Sequence, residues 1–152
     1  PMLQELGADV LIDYKTQDFE AVLKDYDLVL NSQDNKTLEK SLNVVKTGGK
    51  IISISGPPTP AFAREIGASW IIRTVLSILS SGIRRKAKKK GVDYQFLFMK
   101  SSGKQLEQIT KLIEDGNIKT VIENVYSFSQ TNEAMNHVAS GRAKGKIVVK
   151  IK

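Results

Sequence analysis

Short apolar runs alternate with amphipathic stretches along most of this chain, and that alternation restricts its fold more than any other feature. Val10-Leu11-Ile12, bounded by Asp9 and Asp13, reads as a strand. Phe19, Val22 and Leu23 then fall at helical spacing. "DLVL" (27–30) reads as a second buried strand, and Leu38, Leu42 and Val45 repeat with the period of a helix. "TGG" (47–49) is expected to stop that helix, because glycine takes the left-handed cap conformation freely. "KIISIS" (50–55) is a third strand, ended by "GPPTP". Continuous apolar strands separated by amphipathic helices imply a parallel sheet covered on both faces.

Residues 57–91 interrupt the rhythm. Pro57, Pro58 and Pro60 are expected to exclude regular structure locally. Ile71, Ile72, Val75, Leu76, Leu79 and Ile83 then form an apolar helical stripe, followed by six cations: Arg84, Arg85, Lys86, Lys88, Lys89 and Lys90. "YQFLFM" (94–99) is expected as a fourth strand. Leu106, Ile109, Leu112 and Ile113 share one face of a further helix, ended by Asp115-Gly116-Asn117. "TVIENV" reads as a weakly alternating strand, Ala134, Met135 and Val138 mark a last helix, and "KIVVKI" is a closing strand.

Composition matters chiefly for what it excludes. The chain has no cysteine, so it holds neither a disulfide nor a thiolate metal site. Its net charge of +7 is concentrated in the run at 84–90. That run lacks interleaved aromatics and any helix-turn-helix or zinc pattern, so it is expected to be a solvated face, with no nucleic-acid partner. Trp70, Ile71 and Ile72 beside cations also fit an interfacial helix. The simpler reading is a helix covering the sheet or a lid near a substrate pocket, and no membrane partner is expected. No apolar run reaches membrane-spanning length, and the start of the chain lacks the order of a signal peptide, so the cytoplasm is the expected compartment.

Several stretches together resemble one family. "LGADVLIDY", "DLVLNS…TLEKSLNVVKTGGKIISISG" and "FLFMKSSGKQLEQITKLIEDGNIKTVIENVYSFSQTNEAMNHVASGRAKGKIVVKI" look like the medium-chain dehydrogenase/reductases. The likeness is to the quinone-oxidoreductase-like and zinc-type alcohol dehydrogenase-like members. In that family a GroES-like catalytic domain comes first, then a Rossmann strand, a glycine-rich turn and a helix, and only then the equivalent of "LGADVLIDY". No GxGxxG or GxxGxxG occurs in this sequence. The resemblance therefore implies the C-terminal portion of a longer reductase. The expected fold is α/β, a partial Rossmann-like doubly wound parallel sheet without its first strand and glycine-rich turn. Residues 1–118 would belong to the nucleotide-binding domain, and 119–152 would return to the catalytic domain. Without that domain, "TVIENV" and "KIVVKI" are expected to pair with each other or to lack order.

The implied cofactor is NADP, with NAD as the alternative, and the implied substrate is a small carbonyl, quinone or activated alkene. Zinc would come from the catalytic domain if the full protein has it. By resemblance, Tyr14 lies beside the adenosine 2′-phosphate, where a phenol can donate a hydrogen bond; the structural alternative is a ring packed on a neighbouring helix. Asn31, Ser32, Ser55 and Gly56 end two strands, where ligands bind in open α/β sheets, and the resemblance implies that these ends line the nicotinamide-ribose half. Ordinary turn chemistry is the alternative. Phe96, Leu97 and Phe98 match the sheet-edge strand whose backbone meets the carboxamide and which pairs strands across a homodimer; core packing is the alternative. Asp9 and Asp13 look like turn residues. His137, the single histidine, has no cysteine to join it in a metal site and is expected at a surface or boundary, without a metal.

Two other functions remain open at this level. "DLVLNSQDNKTLEKSLNVVKTGGKIISIS" also resembles the middle of a SAM-dependent methyltransferase, although those enzymes end in an antiparallel hairpin. A non-catalytic chain that dimerises through an apolar edge strand is the third reading.

Overall fold

A computed structural model describes residues 2–152. They form two compact units, one comprising essentially Gly7–Lys100 and the other Ser101–Lys152. The second unit thus includes 101–118, which the sequence reading grouped with the first part.

The first unit is built on a three-stranded parallel sheet of β1 (Tyr26–Asn31), β2 (Val45–Ser53) and β3 (Asp93–Phe96), in that spatial order. Parallel neighbours need crossover connections. Here α3 (Asn35–Ser41) joins β1 to β2, while α4 (Pro60–Glu65), α5 (Trp70–Leu79) and α6 (Ser81–Lys89) lie between β2 and β3. Before β1 in the chain come α1 (Met2–Glu5), most of which groups with the second unit, and α2 (Phe19–Val22). Strand periodicity of two places Val29, Ile51 and Tyr94 on one face, where Leu38 and Leu42 pack with Ile83 and Ala87 of α6. Burying a side chain such as Leu38 stabilises the fold by roughly 1.5–3 kcal/mol. Leu28, Leu30 and Ile54, on the alternate positions, are exposed. Within this unit the buried core lies on one face of the sheet.

Local chemistry explains the helix starts. Asp34 accepts from the Thr37 amide at 2.8 Å and caps α3. Its carboxyl is held below the usual range, first by that amide. Thr59 caps α4, and Pro60 occupies its first turn, where a missing amide costs nothing. The prolines were expected to exclude regular structure; Pro60 instead opens a helix.

Three further expectations are corrected. Val10-Leu11-Ile12 forms no strand, and Val10 and Leu11 are exposed. β1 bonds only β2, so a three-residue run has no ladder to join. "TGG" does not end a helix. α3 stops at Ser41, and β2 passes through the glycines as an irregularity: Tyr26 faces Val45 but Leu28 faces Lys50. Gly48 has φ +83°, and a Cβ on Gly49 would lie 2.6 Å from Val45 Cγ1 and 2.9 Å from the Asp27 carbonyl oxygen. These glycines therefore serve a bulge and a close backbone approach. Finally, the strand expected over 94–99 spans Asp93–Phe96. Beyond Phe96 the neighbouring β2 has ended, and one bond remains, from the Leu97 amide to the Ser53 carbonyl at 2.9 Å.

The second unit contains α7 (Gly103–Glu114), β4 (Ile122–Ser127), α8 (Thr131–Ala139) and β5 (Lys146–Lys150). β4 and β5 pair with each other, in parallel. Ala134 of α8 is buried. His137 has a carboxylate partner from another element: Nε2 lies 3.4 Å from Glu123 Oε1, and Nδ1 lies 3.0 Å from the Tyr126 hydroxyl. Glu123 also accepts from the Lys144 and Gly145 amides, which hold its carboxyl below the usual range. The three side chains fasten α8 and the turn before β5 to β4.

Candidate functional site

The C-terminal ends of the three parallel strands gather a polar cluster around Ser53. The sheet's pleat puts Ser53 on the same face as Ile51, so its hydroxyl is buried and must be satisfied inside the protein. It donates to Asn31 Oδ1 at 2.8 Å and accepts from the Gly56 amide at 2.8 Å and the Ser55 amide at 3.4 Å. Ser55 Oγ reaches Asn31 Oδ1 at 3.2 Å and also bonds the Gln33 carbonyl. Tyr94 closes the cluster from β3, donating to the Pro57 carbonyl at 2.8 Å. Burial pushes the Tyr94 phenol up to about 12, so it stays a neutral donor.

Gly56 is required by space. A Cβ there would lie 2.7 Å from Leu38 Cδ2 and 2.8 Å from both Ser53 Oγ and Tyr94 Oη. Asn31, Ser55 and Gly56 are thus brought together around Ser53. Ser32 is exposed on the following turn and lies outside this hydrogen-bonded group.

Phe96, Leu97 and Phe98 leave the sheet at its β3 edge. Phe96 is half-buried and meets Phe62 of α4 edge-on, with ring centroids 5.0 Å apart, while Leu97 and Phe98 are exposed. Phe98 lies 6.1 Å from Phe62 and 6.4 Å from Phe96, completing an aromatic group. An open groove of about 470 Å³ runs alongside, lined by Phe62, Arg64, Arg84, Tyr94 and Phe96 among others.

Tyr14 does not pack on a helix. It sits in a turn fixed by Asp13, whose carboxylate accepts from the Lys15 amide at 3.0 Å and whose carbonyl accepts from the Thr16 and Gln17 amides. The ring is 84% exposed. It lines an open groove of about 430 Å³ with Lys15, Thr16, Lys36, Thr37 and Lys40. Lys40 is committed to Asp18 and Glu20. Lys15 and Lys36 have no acidic partner among the described residues. A hydroxyl and two free cations around one groove suit a phosphate.

Sequence reasoning missed Ser53, Tyr94, Lys36 and Phe62. The first two were accessible through strand alternation, which puts Ser53 and Tyr94 on the buried face. Lys36 and Phe62 come to their sites only through tertiary packing.

A family model for zinc-binding dehydrogenases matches residues 6–149. The chain belongs to this family. It is 30% identical over 99% of its length to the mitochondrial NAD(P)H oxidoreductase RTN4IP1 of Danio rerio, covering 40% of that protein. It is 27% identical over 97% of its length to 2-methylene-furan-3-one reductase of Solanum lycopersicum, covering 30% of it. Among solved structures, the quinone oxidoreductase from Coxiella burnetii superposes with a TM-score of 0.73 at 20% identity, over 99% of this chain and 41% of that one. The chain therefore spans less than half the length of these relatives, and it shares the fold of the matching part of the Coxiella burnetii enzyme.

The family's name raises the question of zinc. The chain has no cysteine, and among the described residues no three His, Cys, Asp or Glu side chains gather in a way that could hold a metal. His137 has both ring nitrogens engaged by Tyr126 and Glu123. Among the described residues, the side chains present do not fit a zinc site.

Proposed function

We propose that this chain forms part of the cofactor-binding half of an NAD(P)H-dependent oxidoreductase acting on a carbonyl, quinone or activated alkene. The observation that carries this reading is the cluster of Asn31, Ser53, Ser55 and Gly56 at adjacent parallel-strand ends, in a chain of this family. When bound, a nicotinamide cofactor would supply hydride chemistry. Ser55 would hold its ribose side, with Asn31 and Ser53 positioning Ser55 and Gly56 from beneath. The backbone after Phe96, with Leu97 and Phe98, is assigned to the carboxamide side.

NADP is favoured over NAD, because Tyr14, Lys15 and Lys36 line one groove where a 2′-phosphate would find a hydroxyl and two cations. Residues 1–118 are assigned to the cofactor domain and 119–152 to the return toward a catalytic domain. A homodimer through β3 is part of the same reading: β3 is a sheet edge with one side unpaired. The SAM-dependent alternative loses its support at the chain's end, where β4 and β5 run parallel rather than as an antiparallel hairpin.

Calorimetric titration of the full-length protein with NADPH, NADH and SAM tests the proposal. Tighter binding of NADPH than NADH, with no SAM binding, is expected. Saturable SAM binding without dinucleotide binding would overturn it.

A further inference from the structure

Tyr94 reaches from the core to the turn that follows β2. It faces Ile51 in the ladder between β2 and β3, and it belongs to the buried cluster that holds Leu38 and Ile51. Strand side chains lean along the strand, and two residues of strand rise span roughly 7 Å, about the reach of a phenol. The hydroxyl therefore extends from the level of Ile51 to that of Ser53: a Cβ on Gly56 would lie 2.8 Å from both Ser53 Oγ and Tyr94 Oη. There the phenol donates to the Pro57 carbonyl at 2.8 Å. A phenylalanine at this position would fill the core and leave that carbonyl without its donor.

The turn depends on such contacts because Pro57 and Pro58 have no amide hydrogen to donate. Three successive residues are fastened. Ser55 Oγ bonds Asn31 Oδ1 at 3.2 Å, the Gly56 amide bonds Ser53 Oγ at 2.8 Å, and the Pro57 carbonyl accepts from Tyr94. Asn31 lies on β1, Ser53 on β2 and Tyr94 on β3, so all three strands of the sheet hold the turn. Ser55 is exposed and open to a ligand, whereas Tyr94 is 8% exposed and acts through the turn.

We infer that Tyr94 is a positioning residue for the nicotinamide-ribose side of the site: its bond to the Pro57 carbonyl sets where the turn 55–57 presents Ser55. The inference rests on the cofactor reading above and extends it to β3. The aromatic ring supplies core packing, and the hydroxyl supplies the placement of the turn, so the two roles are separable by removing one atom.

Tyr94→Phe in the full-length protein tests it, read by calorimetry with two probes. NADPH spans both halves of the site, and adenosine 2′,5′-bisphosphate carries the adenosine half alone. Loss of one net hydrogen bond's worth of ordering should weaken NADPH about five-fold and leave the bisphosphate unchanged. In the ligand-free protein, the Ser55 and Gly56 amides should exchange hydrogen faster while the Ile51 amide keeps its protection. Tyr126→Phe removes a hydroxyl contact to His137 in the second unit and should change neither reading. If wild-type protein binds NADPH, an unchanged affinity in Tyr94→Phe, or equal weakening of both probes, overturns the inference and leaves the cofactor reading standing. Unchanged exchange at Ser55 and Gly56 overturns it whatever the cofactor. Wild-type protein that binds neither probe overturns the cofactor reading and the positioning role with it.

Discussion

Replacing Ser53 by alanine isolates the strand-end cluster in one atom. The hydroxyl makes two good hydrogen bonds, to Asn31 Oδ1 and from the Gly56 amide, both at 2.8 Å, and a longer one from the Ser55 amide. A net hydrogen bond contributes about 1 kcal/mol, but a buried group left unpaired costs about 1–3 kcal/mol. Asn31 Oδ1 keeps Ser55 Oγ, whereas the buried Gly56 amide has no other partner nearby. The expected loss is therefore about 2–3 kcal/mol, dominated by that amide. Urea unfolding followed by circular dichroism would read it as a lower midpoint at unchanged slope. Hydrogen exchange should localise it, with the Gly56 amide losing protection before the core around Ile51. A change under about 0.5 kcal/mol, the range of ordinary surface substitutions, together with unchanged Gly56 exchange, would refute the claim that Ser53 organises these strand ends.

Other changes probe separate features. Gly49→Ala should destabilise by about 1–3 kcal/mol in the same unfolding assay, because its Cβ collides with Val45 and the Asp27 carbonyl. Tyr94 has its pKa raised to about 12 by burial, so its contribution is full below pH 10 and is lost as pH rises through 12; Tyr94→Phe should flatten the alkaline limb of a stability–pH curve. Glu123 is shifted the other way. Its folded value is lowered by the Lys144 amide, so its contribution is present above the ordinary 4.5 and is lost as pH falls below that; Glu123→Gln should flatten the acid limb. Lys15→Gln with Lys36→Gln should weaken NADPH about ten-fold and NADH little, as read by calorimetry.

How much of this was visible in the sequence follows from what each feature depends on. The strands at 27–30 and 50–53 announce themselves as apolar, β-branched runs, although Leu28 and Leu30 are exposed here, and the polar residues that follow, Asn31 and Ser55, mark where the site gathers. Helix periodicity located α7 and α8 equally well. Val10-Leu11-Ile12 has the composition of a strand but not the partner, and partnership is not a local property. "TGG" was misread because a helix cap and a bulge both need a left-handed glycine; only the register against β1 distinguishes them. The α5 stripe has the pattern of a core-facing helix, and pattern alone does not say which surface, if any, receives it. The pairing of His137 with Glu123 joins residues fourteen positions apart across a helix and a strand, beyond the reach of neighbour inspection.

Hydrogen–deuterium exchange of the full-length protein with and without NADPH bears most directly on the central claim, that the dinucleotide lies across the strand ends with its phosphate end at Tyr14. The account predicts slower exchange in two separate stretches, 13–16 and 53–56, with NADH protecting the second more than the first. Protection of neither stretch under saturating NADPH would contradict it.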